Sequence, residues 1–240
     1  VRPLLIAVQF LTCLPVRLAG RPKATELGRS LLYYPLVGGV FALLLGSVSV
    51  LLGDRLPLLH AALLLAAWVW LSGGLHLDGL ADSTDAWVGG FGDRERTLAI
   101  MKDPRSGPMA VVALILVLLL KLCALLALLG HGAAWWLVPV LGRAALLGLF
   151  LTTPYVRKEG LGQAMAEHLP RREGWWVMAG CLLLALSWLP WHQVGAGIVA
   201  FVCLRWLMLK RLGGCTGDTA GALLELTETV LLVAGALALP

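Results

Sequence analysis

The chain has 240 residues, of which 59% are hydrophobic and only 14% charged, and its mean hydropathy is +0.86. Soluble domains carry about 25% charged residues, so a water-bathed globule is excluded, and so is disorder, which needs low hydrophobicity and high charge. In such a chain the net charge of +5 reads as basic residues marking cytoplasmic loops, not as a nucleic-acid surface.

The opening apolar run, residues 4–14, is bracketed by Pro3 and Pro15. It falls short of the roughly 20 residues that cross a bilayer, which predicts an interfacial or re-entrant helix. Seven segments then approach that length: 34–52, 57–75, 108–129, 133–153, 174–189, 194–209 and 219–239. The fifth and sixth are separated only by the tight turn Pro190-Trp191-His192-Gln193. The predicted fold is all-α, a polytopic transmembrane helical bundle that forms one membrane domain over 1–240. Of the nineteen Lys and Arg, fifteen fall in the N-terminal segment and alternate connections, one in the others, and three (Lys121, Arg143, Arg205) inside spans. By the positive-inside rule the N-terminus and the loop around 90–107 are cytoplasmic and the C-terminus is periplasmic. Ten tryptophans near span ends form an aromatic belt. The five cysteines form no CxxC pair, which points to buried membrane thiols, not to disulfides or zinc.

The acids are less evenly spread. Between Gly73 and Asp85 the chain reads GGLHLDGLADSTD, placing Asp78, Asp82 and Asp85 at i, i+4 and i+7. At about 100° per residue these fall within one narrow helical stripe. Like charges so placed repel one another. A divalent cation relieves that repulsion, and hard oxygen ligands suit Mg²⁺, which keeps several waters and bridges carboxylates to phosphates. The alternative is a solvated acidic loop. A second group opens the final span: Gly213-Gly214-Cys215-Thr216-Gly217-Asp218, followed by Glu225 and Glu228. Glycines before a helix allow backbone amides close to an anion. Carboxylates inside an apolar span are costly and mark function, or they pair with Lys121, Arg143 or Arg205. A third group is basic: Lys102-Asp103-Pro104-Arg105, then Arg143, then Arg157 and Lys158 before Glu159-Gly160-Leu161-Gly162. Such residues clamp phosphates or set topology and touch anionic lipid. His76, just ahead of the acidic stripe, is a further candidate substrate contact.

Several motifs together resemble the cobalamin synthase family, the adenosylcobinamide-GDP ribazoletransferases. They are Phe10-Leu11-Thr12-Cys13-Leu14-Pro15-Val16, Tyr34-Pro35-Leu36-Val37-Gly38, the acidic stretch 73–85, Ile100-Met101-Lys102-Asp103, Glu159-Gly160-Leu161-Gly162, and 213–218 followed by Gly221-Ala222 and Glu225. Pro104, Gly142 and Cys215 depart from the family pattern at motif edges. The resemblance implies a Mg²⁺-dependent inner-membrane transferase that joins α-ribazole, or its 5′-phosphate, to adenosylcobinamide-GDP. The ribazole 3′-hydroxyl attacks the phosphorus on the cobinamide arm and GMP leaves. On this reading Asp78, Asp82 and Asp85 hold the metal, and Asp82 or Asp85 takes the hydroxyl proton. His76, Lys102, Asp103, Arg105, Arg143, Thr216, Asp218 and Glu225 contact substrate. The implied partners are corrinoid and nucleoside substrates and membrane lipid, with no nucleic acid. A homo-oligomer or other corrinoid-pathway enzymes are also compatible with it. Two other readings stay open: a CDP-alcohol phosphotransferase-like lipid head-group enzyme, and a cation transporter using Asp218, Glu225 and Glu228.

Overall fold

A computed structural model describes residues 1–53, 56–157 and 160–239. Its helices in chain order are α1 (Arg2–Leu11), α2 (Ala24–Ser30), α3 (Tyr34–Leu52), α4 (Pro57–Leu71), α5 (Leu75–Gly89), α6 (Arg94–Ile100), α7 (Pro108–Leu129), α8 (Val138–Thr152), α9 (Leu161–Glu167), α10 (Arg171–Trp188), α11 (Trp191–Leu212) and α12 (Gly217–Leu237). Among the described residues there is no strand, only an isolated bridge between Tyr155 and Cys215. The all-α membrane bundle expected from composition is what forms.

Length and hydropathy alone do not confirm all seven expected spans. Five helical stretches are long and apolar enough to cross a membrane: Ala24–Leu52, Pro108–Leu129, Trp135–Thr152, Trp191–Leu212 and Gly217–Leu237. The segment expected to cross at 57–75 is instead a broken pair, with α4 and α5 meeting at 86°. Gly73 and Gly74 make that break, at φ of +61° and +70°, a left-handed region that side chains with a Cβ rarely enter. The segment expected at 174–189 becomes α10, which falls outside the five because Arg171, Arg172 and Glu173 occupy its first turn. At about 15 Å in length, α1 is too short to cross, and it buries Ile6, Ala7 and Leu11. All five cysteines are free, but only Cys181 and Cys215 are buried; Cys13, Cys123 and Cys203 face outward.

The interior is not purely apolar. Lys121 of α7 donates to Glu225 at 2.6 Å and to Glu228 at 2.8 Å, both on α12. Arg143 of α8 pairs with the other oxygen of Glu228 and lies 4.0 Å from the centroid of the Phe41 ring on α3. Arg143 and Glu228 are fully buried, and Lys121 and Glu225 nearly so. One ionic cluster thus joins α7, α8 and α12. Glu225 and Glu228 take the paired state that the sequence left open against a catalytic one. Among the described residues Arg205 has no acidic partner and donates instead to the Thr152 and Thr153 hydroxyls of the α8 end, at 3.0 and 3.1 Å.

Stripping one partner from such a cluster leaves an uncompensated charge, which in buried pairs costs about 3–5 kcal/mol. Lys121→Met is therefore expected to lower the unfolding midpoint in detergent sharply, and adding Glu225→Leu should recover much of the loss. Unchanged melting of the single variant counts against the cluster as the element that holds the bundle.

Candidate active site

The acidic stripe is carried by α5, which packs along α7 and α12. Its buried face is His76, Leu77, Gly79, Leu80, Ala81, Ser83 and Ala86. Leu80 meets Val117 of α7 and Ala222 of α12 in a small apolar cluster. Asp78 is exposed, while Asp82 and Asp85 are partly so.

Gly79 decides how closely α5 meets α12. A Cβ there would lie 2.7 Å from the Asp218 carbonyl oxygen, and one at Gly221 would lie 3.2 Å from the His76 backbone. Both contacts are with backbone, which cannot swing aside. This glycine-on-glycine crossing brings Asp78 and Asp82 beside Asp218, at the start of α12.

Asp218 is fixed in turn by Arg157, whose guanidinium donates to its carboxylate at 2.7 Å. The segment ahead of Arg157 is tied to the start of α12. Cys215 N–H donates to the Pro154 carbonyl and Val156 N–H to the Cys215 carbonyl, each at 2.9 Å. Gly214 is required at this contact, since a Cβ would sit 2.2 Å from the Pro154 oxygen. The Tyr155 hydroxyl lies close to Gly217, where an added Cβ would sit 3.8 Å from it, and burial raises its pKa. Burial also pushes the Cys215 thiol up to about 12, so it is held as an inert thiol at neutral pH.

The other expected site residues are placed as follows. Asp85 accepts from the backbone N–H of Gly107 and, at 2.9 Å, of Ala110. It caps the N-terminus of α7, where unsatisfied amides and the helix dipole both favour an anion. Thr216 is buried and caps α12, its Oγ1 accepting from Thr219 N–H at 3.2 Å. His76 is buried, and among the described residues its Nδ1 has no hydrogen-bond partner. Arg143 and Glu225 belong to the interior cluster. Lys102 is exposed in the loop before α7. In that loop Asp103 and Arg105 pair with each other at 2.6 Å, and Arg105 holds the Asp103 carboxyl down to about 2. Lys158 and Glu159 lie outside the described residues.

The structure therefore brings together Asp78, Asp82 and Asp218 and adds Arg157, for which the sequence leaves phosphate clamping and topology or lipid contact as alternatives. Nothing in the spacing of Arg157 marks it, because its partner is 61 residues away. Among the described residues no three His, Cys, Asp or Glu side chains converge closely enough to cage a metal ion. The reason lies in the stripe itself. Seven residues of helix run about 10 Å, and Asp85 is turned toward α7. The donors that remain are hard carboxylates with open sides. They fit Mg²⁺, which keeps much of its water and is commonly held by one or two carboxylates plus phosphate oxygens.

A family model described as cobalamin-5-phosphate synthase matches residues 3–236. Curated relatives named adenosylcobinamide-GDP ribazoletransferase match end to end. The one from Pseudomonas syringae pv. syringae (strain B728a) is 61% identical over 240 residues, covering 98% of this chain and 99% of its own. The one from Pseudomonas putida (strain GB-1) is 64% identical, with 99% of each chain covered. The one from Pseudomonas fluorescens (strain Pf0-1) is 61% identical, covering 98% and 99%. No solved structure matches.

The Gly79 crossing can be tested directly. Gly79→Ala forces α5 off α12, and overpacking of this kind costs about 1–3 kcal/mol. Turnover in the relatives' reaction should fall tenfold or more while circular dichroism stays fully helical. Normal turnover would mean that Asp218 does not work together with the α5 acids.

Proposed function

The chain belongs to the cobalamin-5-phosphate synthase family, and on that premise we propose that it joins α-ribazole, or its 5′-phosphate, to adenosylcobinamide-GDP with release of GMP. The observation that carries this reading is the meeting of Asp78, Asp82, Asp218 and Arg157 where α5 crosses the start of α12. Phosphoryl transfer asks for positioning and charge neutralisation more than for covalent catalysis, and this group offers acidic and basic arms side by side.

In the reaction the ribazole 3′-oxygen forms a bond to the phosphorus on the cobinamide arm. The bond from that phosphorus to the bridging oxygen breaks, and GMP departs with the bridging oxygen. The attacking hydroxyl gives up a proton. Asp82 is placed to receive it, because it stands on the open stripe with Asp78 and Asp218 as like-charged neighbours, whereas Asp85 is engaged by the α7 amides. Asp78 and Asp218 are the residues that would hold Mg²⁺, which when bound would neutralise diphosphate charge. Arg157 pairs with Asp218 and would donate to phosphate oxygens, a role suited to the planar guanidinium fork. Asp85 serves by holding α7 against α5. Glu225 and Glu228 are closed by Lys121 and Arg143, so they offer no open path for an ion, and the transporter reading loses its residues.

The same reading places the site on the cytoplasmic side of the inner membrane. The 154–156 segment pairs with Cys215, which puts the ends of α8 and α11 and the start of α12 on one face. With α11 itself spanning, the chain between the end of α8 and the start of α11 must then cross once, and α10 is the helix that crosses. A reporter inserted at 93–96 is expected to read as cytoplasmic, and one in the 190–193 turn as periplasmic. The same compartment for both would remove α10 as a span.

Asp→Asn keeps size and removes one charge. With adenosylcobinamide-GDP and α-ribazole as substrates, Asp82→Asn should lower turnover on the order of a hundredfold at any Mg²⁺ concentration, a loss of about 2.7 kcal/mol in transition-state stabilisation. Asp78→Asn should instead raise the Mg²⁺ needed for half-maximal rate. Near-normal activity of both at low Mg²⁺ would reduce the stripe to a solvated acidic face.

A further inference from the structure

The segment that delivers Arg157 to the acids also walls a separate polar cavity. It measures about 410 Å³ and lies between the end of α8 and α9, within the range of roughly 300–1,000 Å³ usual for small-molecule sites. Its walls include Thr152, Thr153, Tyr155, Glu167 and Arg171.

Each polar wall is partly anchored and partly open. Glu167 accepts from Gln163 Nε2 through one oxygen at 2.8 Å, which steadies an acceptor-only carboxylate whose second oxygen has no partner among the described residues. Arg171 donates one terminal nitrogen to the Leu151 carbonyl, fixing its fork at the cavity edge. Arg205 donates to both threonine hydroxyls, and Thr152 spends its own proton on Gly148 O at 2.8 Å. The cavity thus presents a carboxylate, a guanidinium fork and polar hydroxyls, with the Tyr155 ring as the wall that leads toward the acids. The Tyr155 hydroxyl lies beside Gly217, where an added Cβ would sit 3.8 Å from it, next to Asp218, and Arg157 two residues on binds Asp218 itself. One short segment therefore links this cavity to the diphosphate end of the site.

The two substrates of the proposed reaction bring two different bases. Dimethylbenzimidazole offers apolar methyl groups and no donor on its outer edge. Guanine carries adjacent N1–H and amino donors, which one carboxylate accepts together, and O6 and N7 acceptors, which an arginine fork reads. Adenine turns a ring-nitrogen lone pair toward the same carboxylate. We propose that this cavity binds the guanine of the nucleotide substrate, with Glu167 accepting from N1–H and the amino group and Arg171 donating to O6 and N7. The assignment rests on the ribazole-transfer reading, which supplies the guanine nucleotide.

Titration calorimetry of the full-length protein in nanodiscs with GMP, IMP and AMP tests it, with thermal unfolding as a check on the variant. Glu167 is exposed, so Glu167→Gln should fold normally. The wild-type protein is expected to bind GMP about tenfold more tightly than IMP, which lacks the amino group, and to bind AMP more weakly still. Glu167→Gln should weaken GMP about tenfold, bring GMP and IMP close together, and raise KM for adenosylcobinamide-GDP while kcat is kept. Equal GMP affinity in both proteins, with normal wild-type turnover, overturns the cavity assignment and leaves the transfer reading standing. A wild-type protein that forms no cobamide product removes both.

Discussion

Glu228 lies between Lys121 and Arg143 with no part of it exposed, and the placement of every catalytic candidate depends on that arrangement. Packing alone is a weak organiser between helices in lipid, because the surrounding tails are as apolar as leucine. A buried carboxylate facing two cations is a strong one, since any other register strands charge in a dry interior. The cluster sets α12 against α7 and α8. The acidic helix α5 then lies along α12 and α7, where Gly79 and Gly221 remove the side chains that would keep it off. The interior ions therefore support the site from below without touching substrate.

This division of labour explains why the acids fall into two sets that composition could not separate. Glu225 and Glu228 are nearly or fully buried and paired, whereas Asp78 is exposed and Asp82 and Asp218 are half-exposed. Exposure lets the second set meet a charged, water-soluble diphosphate. Asp85 stands between the two, partly exposed yet spent on the first amides of α7. An anion at that helix start lowers the cost of ending a hydrophobic span.

Much of this was legible in the chain. Hydropathy gave the all-α membrane class, and i, i+4, i+7 spacing placed three aspartates on one face. The pairing of the interior glutamates was an open alternative that the expense of intramembrane charge made specific. Contacts between distant segments were not legible. Arg157 reaches Asp218 across 61 residues, and nothing local to Gly79 says which backbone it must admit. The break at the end of the 57–75 segment was not legible for a different reason. Hydropathy averages over a window and passes smoothly across Gly73-Gly74, where two left-handed residues turn the chain by 86°. The segment expected at 174–189 is preceded by Arg171, Arg172 and Glu173, which depress the average over α10 as a whole, although the connectivity calls for a crossing there.

A broken helix inside a membrane has to satisfy the backbone groups that the break frees, because lipid offers no partner. Here they are met one by one. Gly73 N–H donates to the Trp70 carbonyl and Gly74 N–H to that of Val69, while the Ser72 hydroxyl also turns back on Val69. Leu71 O is reached from elsewhere, by the amide of Cys13 at 2.9 Å. Cys13 follows α1, which packs on α2 and α3 and is too short to cross. The opening helix thus has a use that its length alone does not suggest. It brings a backbone donor to the end of α4, and so lets the chain turn out of a span and present the aspartates of α5 as a separate short helix. A continuous span through 71–75 would need no such donor, and it would carry Asp78 and Asp82 along the axis of α4 instead of against the start of α12.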